Sequence, residues 1–336
     1  MYEAFYNLTA KPFQLTPDPA FFYGSRGHRR AAAYLEYGVD QGEGFIVITG
    51  EVGAGKTTLV RYLLRNLPSN EVVAAQIVST QLDADNMLSA VCRAFNVTSS
   101  GTKAERLMNL EQYLLRCQRA GKQCLLIVDE AQNLCPATLE ELRMLSNYQT
   151  DQGSLLQSFL VGQPEFRETL QSDGMRQLRQ RVIATYHLNP LDEIETRNYI
   201  EHRLQRVGWQ QDPAFTDAAH DALYQYSAGV PRRINHVCDR LLLMAYLEEL
   251  HLIDLDTVNQ ISDELDNDFG LPPIRSEVVA TPPMMDSETE APEAPEAPDA
   301  TEDVQPTPPP SSIESHSNGT TRTPLQWLRQ HLPGNR

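Results

Sequence analysis

No stretch of this 336-residue chain approaches the ~18 consecutive apolar residues that a bilayer-crossing helix needs. The N-terminus, MYEAFYNLTAKPF, lacks the basic-then-apolar order of a secretory leader. Both absences point to the cytoplasm, or to a peripheral place at the inner face of the cytoplasmic membrane. Cysteine is sparse and unpaired: Cys92, Cys117, Cys124, Cys135 and Cys238 form no CxxC and are odd in number, which speaks against a disulfide framework or a zinc knuckle. Without secretion, the Asn-x-Thr sequons at Asn7, Asn96 and Asn318 carry no meaning. Basic residues are also in deficit, with 28 Lys+Arg against 45 Asp+Glu and a formal charge of −17. A chain this acidic gives no strong sign of nucleic-acid binding, because most of its surface would repel phosphate.

The charge is unevenly spread. Residues 271–336 hold 10 acids and 4 bases, and 11 of the 22 prolines fall between Pro272 and Pro310. Text such as EAPEAPEAPDATEDVQPTPPP cannot bury enough apolar surface to offset ordering entropy, so 271–321 reads as a disordered Pro/Glu linker. Beyond it, 322–336 carries Leu325, Trp327, Leu328 and Leu332. That segment reads as a short amphipathic helix that docks on a partner or on this chain, or as a frayed end.

Before residue 271 the pattern alternates. The runs 45–49, 72–78, 124–129, 155–162 and 181–188 are short and apolar, the pattern of buried strands. Helical stretches lie between them at 56–66, 84–95, 103–119, 137–149 and 164–171. Alternating β and α predicts a parallel sheet covered by helices, an α/β class. After Pro190 strands are no longer expected, and 192–207, 215–227, 231–249 and 255–266 read as successive helices. The expected parts are an arm and first helix at 1–40, an α/β domain at 41–190 and a small all-helical domain at 191–270.

Residues 50–58 read Gly50-Glu51-Val52-Gly53-Ala54-Gly55-Lys56-Thr57-Thr58, a GxxxxGK[ST] phosphate loop between an apolar strand and a helix. Its glycines let backbone N–H groups turn around a phosphate, and the helix N-terminus adds free donors. Lys56 would reach the β- and γ-phosphates of ATP, and the Thr57 hydroxyl would hold Mg²⁺. An apolar strand then ends in Asp129-Glu130. Asp129 would share the metal with Thr57, and Glu130 is placed to activate a water, which favours hydrolysis over mere binding.

The phosphate loop, the apolar-Asp-Glu strand and a helical region opening LNPLDEIETRNYIEHRL and containing AGVPRRIN resemble an AAA+ ATPase. More narrowly, YEAFYNLTAKPFQLTPDPAFFYGSRGHRRAAAYLEYG, GEGFIVITGEVGAGKTTL, DEAQNL and LVGQPEF resemble the ExeA/GspA secretion ATPases, most closely those associated with the XrtA exosortase system. The resemblance spans about residues 1–270. It implies a P-loop three-layer α/β/α fold with a helical lid, a homo-oligomeric ring, and a secretion or polysaccharide-export partner at the inner membrane.

By position, the resemblance makes Gln163 a sensor for the attacking water, although a turn residue before Pro164 is the plainer alternative. Arg232 becomes the lid arginine that reaches the nucleotide, with Arg233 able to exchange roles. Among Arg176, Arg179 and Arg181 it implies an arginine finger toward a neighbouring subunit, against the alternative of a solvated basic face. The largely aromatic set Phe13, Leu15, Phe21, Phe22 and Tyr23 either lines an adenine pocket or packs an extended arm, and His28 reads as structural. The leading expectation is a Mg²⁺-dependent ATPase. A DNA-bound regulator of transposition and a nucleotide-gated scaffold with little turnover are the alternatives.

Overall fold

The computed structural model describes residues 1–78 and 82–269. The expectations for 271–321 and 322–336 lie outside the described residues.

Five parallel strands form the central sheet: β1 (Phe45–Gly50), β2 (Val72–Val78), β3 (Gln123–Asp129), β4 (Leu156–Gly162) and β5 (Val182–Leu188). Their spatial order is β2-β3-β4-β1-β5. Side chains alternate along a strand, so each face of the sheet needs its own cover. Phe45 and Val47 of β1 enter one core with Leu126, Val128 and Leu160. Ile46 and Ile48 enter the other with Leu125, Ile127 and Phe159. The first core is closed by α4 (Ala84–Ala94), α5 (Lys103–Arg119) and α6 (Pro136–Leu145). The second is closed by α2 (Arg26–Gln41) and α3 (Lys56–Asn66), after the short α1 (Tyr2–Phe5). Burial on both faces explains why the inner strands β1, β3 and β4 are largely apolar along their length, whereas the edge strands β2 and β5 are only partly covered.

The order places the C-terminal ends of β1, β3 and β4 side by side. Thr49 is in register with Gly162, and Val128 with Leu160. The chain reverses direction across the sheet between these strands, which opens a crevice at their carboxyl ends.

After β4 come α7 (Glu165–Gln171) and α8 (Arg176–Arg179), and after β5 the helices α9 (Glu193–Gln205), α10 (Asp217–Ser227), α11 (Pro231–Leu247) and α12 (Leu255–Phe269). These last four share a core that also takes Tyr2, Tyr6, Leu8 and Phe13 from the N-terminal arm. Hydrogen bonds fix the arm there, Tyr2 to Asp239 at 2.6 Å and Tyr6 to the Leu250 carbonyl at 2.8 Å. The arm therefore packs with the helical part up to Phe13, although it lies nearest the sheet in sequence.

Two expectations are corrected. The helix expected over 137–149 stops at Leu145, and Gln149–Thr150 pairs with Gly153–Ser154 as a small hairpin. The helical part is not all-helical, since Ala214–Phe215 and Leu252–Ile253 form a two-residue parallel ladder. Pairs this short show no alternation in sequence, and the partners in the parallel ladder lie far apart along the chain.

Candidate nucleotide site

The loop between β1 and α3 runs into the sheet's crevice, and its form depends on glycine. Gly53 and Gly55 have φ of +87° and +98°, where a side chain is strained. A Cβ at Gly53 would also sit 2.5 Å from the Cβ of Arg232. Within the loop Lys56 is buried, and its Nζ donates to the carbonyls of Gly50 at 2.6 Å and Glu51 at 2.9 Å. Burial pulls the Lys56 ammonium below its ordinary pKa, opposed by the charges of Glu130, Asp129, Glu51 and Glu165. Val52, Gly53, Gly55, Lys56, Thr57 and Thr58 face the cleft, while Ala54 is buried behind them.

From β3, Asp129 meets the loop: the Thr57 hydroxyl donates to its Oδ2 at 3.0 Å. Burial raises the Asp129 carboxyl above its ordinary pKa, against the Thr57 and Glu130 N–H hydrogen bonds that favour the carboxylate. A buried carboxylate beside a hydroxyl is a hard oxygen donor set, and a divalent cation would relieve its desolvation. The pair thus fits Mg²⁺.

Glu130 adopts left-handed backbone, φ 55° and ψ 41°, uncommon for a residue with a side chain. That turn separates its carboxylate from that of Asp129 and delivers it to two amides. Gln132 Nε2 donates to Glu130 Oε2 at 2.7 Å, and Gln163 Nε2 reaches the same oxygen at 3.4 Å. Gln132 Oε1 in turn accepts from the Gln163 backbone N–H at 3.0 Å. Gln132 thereby clasps the ends of β3 and β4 together. Sequence reasoning missed it, although it stands two residues after Glu130.

The helical part closes the cleft from above. The Arg232 N–H donates to the Gly53 carbonyl at 3.2 Å, and its side chain lines the cleft. Arg233 instead lies 5.9 Å from the Tyr226 ring centre, away from the loop. The geometry brings Arg232 and not Arg233 to the site. Of the aromatic set, Leu15, Phe21, Phe22 and Tyr23 line the cleft, whereas Phe13 is 1% exposed in the helical core. Phe22 stacks on Tyr62 at 4.2 Å.

His28, read as structural, also touches the loop. Its ring pairs with the Ser25 hydroxyl at 2.7 Å, and it would lie 2.7 Å from a Cβ at Gly55. Burial pushes its pKa down to about 4, so it packs there neutral. Tyr199, Arg203 and Asn235 line the same cleft from α9 and α11, and the sequence offered no local signal for them.

The three arginines before β5 do not line this cleft. Arg179 donates to the carbonyls of Leu170 and Ser172, at 2.7 and 2.9 Å. Arg181 donates to the Ser146 carbonyl and hydroxyl, at 3.1 and 3.0 Å. Arg176, on α8, is exposed, and its side chain has no hydrogen-bond or ion-pair partner among the described residues.

Sheet order, phosphate loop, Asp129-Glu130 and the capping helices together define a P-loop AAA fold, which implies nucleotide binding. Residues 39–170 match the family model described as an AAA domain. Over 255 residues, the chain is 42% identical to General secretion pathway protein A of Aeromonas hydrophila. That similarity covers 75% of this chain and 46% of the relative, so the chain spans less than half of that protein's length. Among solved structures, the Aeropyrum pernix ORC2 protein matches with a TM-score of 0.56 and 18% identity, over 74% of this chain and 72% of that one. The Thermotoga maritima RuvB Holliday junction branch migration motor matches with a TM-score of 0.52 and 20% identity, over 77% and 76%. At such identities these two likenesses concern the fold alone.

Proposed function

We propose that the chain is a Mg²⁺-dependent ATPase that works as a homo-oligomer and energises a secretion assembly. The observation that carries the hydrolytic reading is the 3.0 Å contact between Thr57 and Asp129, with Lys56 and Glu130 in the same cleft. Thr57 and Asp129 would hold the metal, which would supply neutralisation of phosphate charge when bound. Lys56 and the N–H groups of the loop bind the phosphates. Glu130 accepts a proton from the water whose oxygen attacks the γ-phosphorus, and the bond to the ADP oxygen breaks. Gln163 orients that water, and Gln132 holds Glu130 and Gln163 in one arrangement. Arg232 senses the phosphate end from the helical part, so turnover alters how that part sits on the loop.

We assign the arginine acting on a neighbour's nucleotide to Arg176. Arg179 and Arg181 are committed to carbonyls of their own subunit, whereas the exposed side chain of Arg176 has no partner among the described residues. The similarity to General secretion pathway protein A supports the secretion role. The finer reading, export of exopolysaccharide in an exosortase-type system at the inner membrane face, rests on the sequence resemblance of the N-terminal arm and the DEAQNL segment.

Mixing tests the hydrolytic and oligomeric parts together. Glu130→Gln should lower turnover by roughly 10²–10⁴-fold, and Arg176→Ala by roughly 10³-fold or more, each with ATP still bound. An equimolar mixture should recover turnover, since some sites then pair an intact Glu130 with a neighbour's intact Arg176. Silent mixtures would sink the trans assignment, and full activity of Glu130→Gln would sink the hydrolytic one.

A further inference from the structure

Arg203, on α9, is a buried cation without an anion. It is 6% exposed and lines the cleft, and no carboxylate lies within ion-pair distance of it among the described residues. Two of its nitrogens are committed: Nε donates to the Pro12 carbonyl at 2.6 Å, and Nη1 to the Tyr199 hydroxyl at 2.8 Å and the Asn235 Oδ1 at 3.2 Å. Its guanidinium carbon lies 4.8 Å from the Phe21 ring centre and 5.6 Å from that of Tyr199. The remaining amine, Nη2, donates to no described residue. It is also absent from the buried side-chain atoms left unsatisfied, so it opens onto the cleft.

A desolvated guanidinium is costly unless its donors are used, and its fork is rigid once held at Nε and Nη1. Here three bonds to the arm and to α9 and α11 fix the plane of the group. The free amine is thereby aimed at whatever occupies the aromatic end of the cleft. Lys56, Thr57 and Glu130 make up the polar end, while Phe21 and Tyr199 flank Arg203 and Leu15, Phe22 and Tyr23 line the same cleft. A nucleotide with its phosphates on the loop puts its base among those rings. An in-plane ring nitrogen is the acceptor that a planar, ring-stacked donor suits.

We infer that Arg203 is a specificity-determining residue that donates from Nη2 to a ring nitrogen of a bound purine. This rests on the reading of the cleft as a nucleotide site, and the geometry adds which end reads the base and with what group. The same arginine ties the arm to the helical part through the Pro12 carbonyl, so base recognition and the seating of the arm share one side chain.

The test compares ATP with 1-deaza-, 3-deaza- and 7-deaza-ATP, each lacking one ring acceptor, by equilibrium binding to the unaltered chain with Mg²⁺. One analogue should bind about ten-fold or more weakly than ATP, the worth of a hydrogen bond to a charged group. Arg203→Lys, which keeps the charge and loses the fork, should bring ATP binding to the level of that analogue and abolish the difference between the two ligands. A purely structural Arg203 would not abolish the difference between the two ligands. If all three analogues bind within about two-fold of ATP, the inference fails while the nucleotide site stands. If ATP itself does not bind, both fail. The analogue series needs no variant, so it can overturn the inference even where Arg203→Lys does not fold.

Discussion

The contact between Gly53 and Arg232 gives a sharp test of how the helical part is seated on the phosphate loop. In Gly53→Ala two costs add. The first is backbone strain at φ +87°, about 1–2 kcal/mol for a residue with a Cβ. The second is a clash, because the new Cβ would lie 2.5 Å from the Arg232 Cβ. That atom is fixed to the backbone of α11, so no rotamer relieves the overlap. Reaching an ordinary carbon–carbon separation requires α11 to withdraw by roughly 1 Å. Withdrawal weakens the 3.2 Å bond from the Arg232 N–H to the Gly53 carbonyl, a loss of about 1 kcal/mol. The sum, about 2–3 kcal/mol, corresponds to a fall in Tm of roughly 4–12 °C for a folded part of this size. Gly121→Ala is the control, with φ of +69° but nothing within 4 Å of its Cβ, so it bears strain alone. Thermal unfolding by circular dichroism, with and without Mg-ATP, measures both. Gly53→Ala should melt several degrees below Gly121→Ala and respond less to nucleotide. Equal melting of the two would refute the idea that the clash with α11 matters.

Two further outcomes follow from the site. Gln132→Ala removes the bridge between Glu130 and the Gln163 backbone and should lower kcat by about ten-fold with KM little changed, since no ground-state contact to nucleotide is lost. Steady-state rates check this, and an unchanged kcat rules out the positioning role. Acid should destabilise the fold from near pH 6.5 downward. Burial holds His28 and His202 at about 4 when folded, against 6.5 ordinarily, so in that window the unfolded chain binds more protons. Each contributes a decline of up to about 1.4 kcal/mol per pH unit, less for the half-buried His202. Asp129 works the other way, because its raised carboxyl takes up a proton earlier folded than unfolded and so returns some stability as pH falls. Urea midpoints near pH 7.5 and pH 5 should differ, and His28→Gln should reduce the difference. A midpoint that does not move would show that these histidines are not held neutral.

What could be read from one dimension was whatever depends on neighbours in the chain. The phosphate loop is a local backbone conformation, so Gly53, Gly55, Lys56 and Thr57 carry it in their spacing. The inner strands were legible because both faces of the sheet are covered there, which makes them largely apolar, and the partly covered edge strands β2 and β5 keep enough apolar residues to be read the same way. Asp129 and Glu130 could be placed because a buried strand has to end somewhere polar. The two-residue ladder of Ala214–Phe215 with Leu252–Ile253 was not legible, since its pairing energy lies between segments and its pattern within neither.

By itself, then, the sequence determined the α/β class and the chemistry of the phosphate end. Tertiary packing alone decided the other end and the closure of the site. It chose Arg232 over Arg233 through the seating of α11 on Gly53, and took Phe13 away from the cleft into the helical core. It also held Arg179 on the Leu170 carbonyl and Arg181 on that of Ser146, while the Arg176 side chain has no partner among the described residues. Arg203 reaches the cleft through contacts with Pro12 and Asn235, residues 191 and 32 positions away. The physical reason is common to all of them. A backbone turn is specified by the residues that make it, whereas the direction of a long side chain is specified by whatever packs against it.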